Sequence, residues 1–187
     1  MRVIIVIVFL SCLVVSCKEK PKGKAPDSSV IQKKDTTSLL GVVKSYEPKS
    51  YKGKVPKAFY TSRGNYDWWR FPLVYPYSIS CIDIRDYGRI VSDEGRTDFD
   101  GGGAVTPLTS EFDKFIFDRS YFIASRCRNH FDSDTAKLVE QYLIFSFSNG
   151  SVKEIKGTDN LRKKLKEIRF NGDTTLMTIM EYEDRLR

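Results

Sequence analysis

The chain opens on an unbroken apolar run and then changes character twice. After Met1 and Arg2, residues 3–17 (VIIVIVFLSCLVVSC) carry no charge. That run is shorter than the roughly 20 apolar residues a membrane-spanning helix needs. A positive start, a short apolar stretch and a small residue ahead of a cleavage point describe a secretory signal peptide. From residue 18 to 57 the large apolar residues thin out among Pro21, Pro26, Pro48, Pro56 and several Gly, Ser and Thr. Such a stretch cannot offset its ordering entropy by burial, so it reads as a flexible tether. Leu39-Leu40-Gly41-Val42-Val43 is the exception: it either docks on the domain or remains exposed.

At Phe59 the pattern turns dense and aromatic, with eight aromatic residues between positions 59 and 77. Residues 77–85 (YSISCIDIR) alternate as a strand does, Asp86-Tyr87-Gly88 reads as a turn, and residues 89–92 return as its partner. Residues 93–106, with DEG and GGG, read as loop. Residues 114–117 and 121–125 flank Asp118-Arg119-Ser120 as a second hairpin. Residues 141–148, then Asn149-Gly150, then 151–155 form a third, for which Asn-Gly suits a type I′ turn. A short helix is expected over 132–140. Thr158 reads as the N-cap of a helix through Ile168, with Leu161, Leu165 and Ile168 on one face. Asp173 reads as the cap of another, presenting Leu176, Met177, Ile179 and Met180. The sum predicts an α+β, mostly β domain: an antiparallel meander of about six strands with one or two C-terminal helices. The expected organisation is a signal peptide over 1–16, a lipidated cysteine and basic tether over 17–57, and one β-rich domain over 58–187.

The segment Val14-Val15-Ser16-Cys17 resembles the lipobox of bacterial lipoproteins, whose usual first residue is Leu. The resemblance implies that Cys17 receives a diacylglycerol, that the signal is cut just before it, and that the new amine is acylated. Cys12, behind Phe9-Leu10-Ser11, is a weaker second match because Cys17 sits where the apolar sequence ends. Charged Lys18-Glu19-Lys20 are similar to the residues that follow the cysteine in surface-exported lipoproteins of the Bacteroidota. By resemblance to enterobacterial sorting, the lack of Asp at position 18 argues against inner-membrane retention. The implied address is the outer membrane, with either leaflet open. The later part of the chain, with its KFIFD…YFIAS and QYLIFSFSNG hairpins, is faintly similar to small lipoproteins of unknown function, which supplies no activity.

Composition changes the picture mainly through charge. The chain's 187 residues hold 31 Lys and Arg against 24 Asp and Glu, a net of +7, with 41% hydrophobic residues. That suits one compact domain with a real core. A basic total alone would invite nucleic acid. Yet residues 18–57 hold 11 basic and 4 acidic side chains, while 58–187 hold 19 and 20. The excess belongs to the tether, where it can meet anionic headgroups, and nucleic acid drops out as the leading partner.

The candidate chemistry is sparse. His130 is the one histidine, and Cys127 three residues before it would be a nucleophile beside a base only if the fold brought them together; a charged surface loop is the stronger account. The HExxH, Walker A, dinucleotide-binding and G-x-S-x-G patterns do not occur. Cys81 and Cys127 are either bridged across 46 positions or two separate buried thiols. The acidic loop 93–103 lacks EF-hand spacing and contains Arg96, so a solvated loop is favoured over a calcium site. The triple glycine is followed by neither a Lys nor a helix signal, which speaks against a phosphate cradle. Tyr66, Trp68, Trp69 and Arg70 are the most suggestive group. They are read as anchors for a protein interface, with sugar stacking as the alternative and core packing as the plain account. In an extended chain Trp68 and Trp69 face opposite sides. The functional expectation is a non-catalytic, lipid-anchored envelope domain without metal or cofactor. It would bind another envelope protein as an immunity-like inhibitor or accessory subunit; the alternative is a glycan-binding surface lipoprotein.

Overall fold

A computed structural model describes residues 38–99, 105–126 and 140–187. The expectations placed on Cys12, Cys17, Cys127, His130, the triple glycine and nearly all of the helix over 132–140 lie outside the described residues.

Alternation along the chain builds two antiparallel sheets. The first has four strands in sequence order: β1 (Gly64–Asn65), β2 (Trp68–Pro72), β3 (Tyr77–Ile82) and β4 (Arg89–Ser92). The second contains β5 (Phe112–Phe117), β6 (Tyr121–Arg126), β7 (Gln141–Ser146), β8 (Val152–Lys156) and β9 (Met177–Thr178), in the order β8-β7-β6-β5-β9. Among the described residues the helices are α1 (Leu39–Ser45), α2 (Lys57–Thr61), α3 (Thr158–Glu167) and α4 (Ile179–Leu186), with a 3-10 turn at Lys49–Tyr51.

The central strands β5, β6 and β7 of the second sheet are buried on both faces along most of their length, which explains their nearly continuous apolar runs, while β8 at the edge is mostly exposed. Along β7, Leu143 and Phe145 join the large core with Phe71, Ile79 and Ile90 of the first sheet. Tyr77 of β3 meets Phe145 of β7 with ring centroids 4.9 Å apart. The alternate residues Tyr142 and Ile144 join Ile116, Ile123 and Ile155 in a smaller core, closed by Leu161, Leu165 and Ile168 of the α3 region. The order of layers is therefore first sheet, large core, second sheet, small core, α3.

The mostly β, antiparallel α+β class is as expected, and all six expected strands are present. β1, β2 and β9 are additional, and the strands divide between two sheets instead of running as one meander. Local punctuation differs as well. Gly157, at φ 82°, stands at the N-cap of α3 and Thr158 is its first residue. Thr178 caps α4 through a reciprocal capping box with Glu181, and Asp173 instead accepts from Thr175 N at 2.9 Å. In the β7–β8 turn only Gly150 has positive φ, and its N–H bonds Ser146 O at 2.9 Å. A type I′ turn needs positive φ at both central residues, so Asn149-Gly150 is not one.

The largest departure is at the domain boundary. Ser38 caps α1 by accepting from Gly41 N at 3.2 Å, and Val43 is buried in the large core. Leu39, Leu40, Tyr46, Tyr51 and Val55 pack against that core. Residues 38–57 are thus part of the folded domain and not tether. Among the described residues, no helix is long and apolar enough to cross a membrane.

Candidate functional site

β2 separates its side chains by parity. Trp69 and Phe71 face the large core; Trp68 and Arg70 face the other side of the sheet. That outer side is roofed by α2 and the loop after β4. Arg70 is completely buried there. Its Nε donates to Asp93 Oδ2 at 3.0 Å, its Nη2 donates to the same oxygen, and its Nη1 donates to Phe59 O at 2.9 Å. The rings of Phe59 and Phe99 flank the guanidinium with centroids 4.7 and 4.9 Å from Cζ. Burial pulls the guanidinium below its ordinary pKa, and the bond and charge of Asp93 oppose that shift. Ser78 Oγ also donates to Asp93 Oδ2, at 2.6 Å, and Arg96 Nη1 lies 3.5 Å from Oδ1.

This corrects two expectations. Arg70 does not reach a partner, because its donors are consumed inside the domain. Asp93 is not a solvated loop acid but the buried counter-charge of Arg70. Trp68 is also taken up by packing: Nε1 donates to Ser80 Oγ at 2.9 Å, and Arg96 Cζ lies 5.0 Å from its ring centroid. Trp69 is half-buried against the large core, with Arg85 Cζ 4.9 Å from its ring. Of the four proposed anchors only Tyr66 stands free, 89% exposed.

Tyr66 occupies the β1–β2 turn, between the paired residues Asn65 and Trp68, with φ at 54°. A Cβ-bearing residue in that left-handed region is disfavoured by about 1–2 kcal/mol, and an aromatic one is uncommon. The turn is tied to the end of β3 by Asp83 N donating to Asp67 O at 2.8 Å. There Ile82, in register with Trp68, is 59% exposed, and Ile84 is 52% exposed. Three large apolar side chains thus gather at one end of the first sheet, beside Asp67, Asp83 and Asp86. Sequence reasoning missed the two isoleucines. For Ile82 the signal was parity: it follows Ser78 and Ser80, while Tyr77, Ile79 and Cys81 form the inward set. Ile84 lies beyond the strand, after Asp83 at φ 64°, where alternation no longer applies.

Cys81 is buried on that inward set, and burial pushes its thiol up to about 12, with Glu183 and Asp86 adding to the effect. It is poorly suited to act as a nucleophile. Its pairing with Cys127 falls outside the described residues. Among the described residues no group of His, Cys, Asp and Glu is placed to hold a metal ion. Comparison with protein-family models, with curated proteins and with solved structures finds no match to this chain.

Proposed function

We propose that this protein is a non-catalytic, lipid-anchored domain of the bacterial outer membrane that binds another envelope protein through the end of its first sheet. Tyr66, Ile82 and Ile84 form the contact, and the partner is blocked or held by the rigid sheet end, as an immunity-like inhibitor or accessory subunit would act. The observation that carries this reading is the strained, solvent-facing Tyr66 beside two exposed isoleucines. Tyrosine concentrates binding energy at interfaces, and the tip would remove apolar area from water at about 25 cal/mol per Å² on docking. A protein surface is favoured over a glycan because Trp68 is covered by Arg96 and Trp69 is half-buried, which leaves no open indole pair for sugar rings.

Photo-crosslinking in the native envelope tests it. A photoreactive residue at position 66 is expected to yield a discrete protein adduct that the same group at exposed Arg119, in the turn between β5 and β6, does not. Equal labelling from both positions, or none from 66, would reject the tip as the contact. For the anchor, Cys17→Ala is expected to move the protein into the soluble fraction; continued membrane fractionation of that variant would show that lipidation is not what holds it.

A further inference from the structure

The charge of the domain is unevenly placed. Residues 152–169 carry seven basic and three acidic side chains, while the rest of 58–187 carries twelve and seventeen. The near-neutral total conceals a basic side, and β8 and α3 build it.

β8 is an edge strand of the second sheet. Ser146 N bonds Ser151 O at 2.9 Å, and Gly157 N bonds Glu140 O at 2.8 Å. Counting by twos between those two points, residues 151, 153, 155 and 157 direct their backbone bonds toward β7. The N–H and C=O groups of Val152 and Glu154 therefore point outward, with no strand beside them among the described residues. Lys156 O, the next outward carbonyl, is taken by Asn160 Nδ2 at 2.8 Å.

α3 doubles back after Gly157 and lays Asn160, Lys163, Lys164 and Glu167 along this edge, at the i, i+3, i+4, i+7 spacing of one helix face. With Lys153 and Lys156 they line a groove of about 290 Å³. Lys164 is paired with Glu167 at 2.5 Å, and Glu154 with Arg126 of β6 at 3.3 Å. Lys153, Lys156 and Lys163 have no ion pair among the described residues. Lys153 shares the α3 side of the sheet with Ile155, and together with Lys163 it reinforces Lys164 in holding the Glu167 carboxyl below its ordinary range. Lysines along an edge repel basic or apolar strands. The same charge selects in favour of an acidic one, because discrimination is a difference of affinities.

We propose that the β8 edge and the facing side of α3 form a strand-addition site for an acidic, extended segment of a partner protein. The segment's backbone pairs with the outward groups of Val152 and Glu154, and its alternate carboxylates meet Lys153 and Lys163. The proposal rests on the reading of this chain as a protein-binding domain but uses a different sheet from the tip, so the two stand or fall separately.

The test uses the full chain in detergent with a blocked heptapeptide of alternating Glu and Thr. Its controls are the Lys-Thr counterpart, an alternately N-methylated Glu-Thr peptide and phosphatidylglycerol vesicles. The Glu-Thr peptide is expected to bind and to slow hydrogen exchange at the Val152 and Glu154 amides. The double variant Lys153→Glu, Lys163→Glu is expected to weaken it by at least about tenfold. Glu154→Pro, which removes an outward N–H at a position where an edge strand tolerates proline, is expected to abolish binding; the lysine variant decides the case if that chain unfolds. N-methylation is expected to prevent binding. Equal binding of the lysine peptide, binding that leaves both amides exchanging freely, or vesicle uptake through these lysines with no peptide binding would overturn the proposal.

Discussion

Arg70 and Asp93 face each other with neither side chain reached by solvent, the Nε of the one donating to Oδ2 of the other at 3.0 Å. Ser78 and the carbonyl of Phe59 complete the network. Removing one partner from a buried pair leaves an uncompensated charge, at a cost of about 3–5 kcal/mol. Asp93→Asn and Arg70→Met are each expected to lower stability in urea denaturation by about that amount. The joint Arg70→Met, Asp93→Leu variant is expected to recover only part of the loss. The Arg70 charge goes with its partner, while Arg96, whose Nη1 lies 3.5 Å from Asp93 Oδ1, still loses its counter-charge. Single variants that cost less than about 1 kcal/mol would place the pair among exposed ion pairs, contrary to its burial.

Tyr66 carries a conformational cost that nothing inside the domain offsets, since its side chain is almost wholly in solvent. Tyr66→Gly is expected to raise stability by about 1 kcal/mol, because glycine enters the left-handed region freely. Tyr66→Ala keeps the Cβ and is expected to show no such gain. Thermal unfolding of the two variants separates backbone strain from side-chain loss.

The parts of this fold that were legible are those in which local chemistry and long-range packing agree. The β5–β6 hairpin follows from its apolar arms and from Asp118, whose Oδ1 accepts from the N–H groups of Ser120 and Tyr121 at 2.7 and 2.8 Å. The role of Arg70 was illegible because its counter-charge lies 23 positions away, in a loop whose other acids look solvated. β1 and β9 have two residues each, too few for any period to register. Ile82 hid within an apolar strand although its parity belonged to the serines. The net charge misled in another way: a sum over the domain erased the separation that puts the basic side chains on β8 and α3.

The boundary at Ser38 is testable by packing. α1 has only seven residues, with Gly41 near its middle, and a helix that short is not stable by itself in water. Its order comes from docking. Val43→Ala is expected to cost about 2 kcal/mol from the buried methyl groups and the space they leave. A chain beginning at Ala58 would lose the Tyr51–Tyr75 and Tyr46–Phe117 ring contacts, at 4.9 and 6.3 Å. It is expected to melt well below one beginning at Ser38. Equal melting temperatures would return residues 38–57 to the tether.

Alkaline conditions should unfold the domain through three buried acids that are neutral in the native state. Burial pushes the Cys81 thiol up to about 12 from 9.0. Burial, then the charge and hydrogen bond of Glu47, pushes the Tyr60 phenol up to about 12 from 10.0. Tyr182, completely buried with its hydroxyl donating to Pro72 O at 2.5 Å, is raised by burial as well. Each native pKa lies above the unfolded one, so the unfolded chain releases protons first as pH rises. The stabilisation is complete below pH 9 and is lost progressively as pH climbs from 9 toward 12. Urea midpoints at pH 8 and pH 11 are expected to differ in that direction. Tyr182→Phe should cost about 1 kcal/mol at pH 8 through the lost hydrogen bond. It should also make the alkaline decline shallower, since phenylalanine has no proton to release. An unchanged slope in that variant would assign the decline to Cys81 and Tyr60.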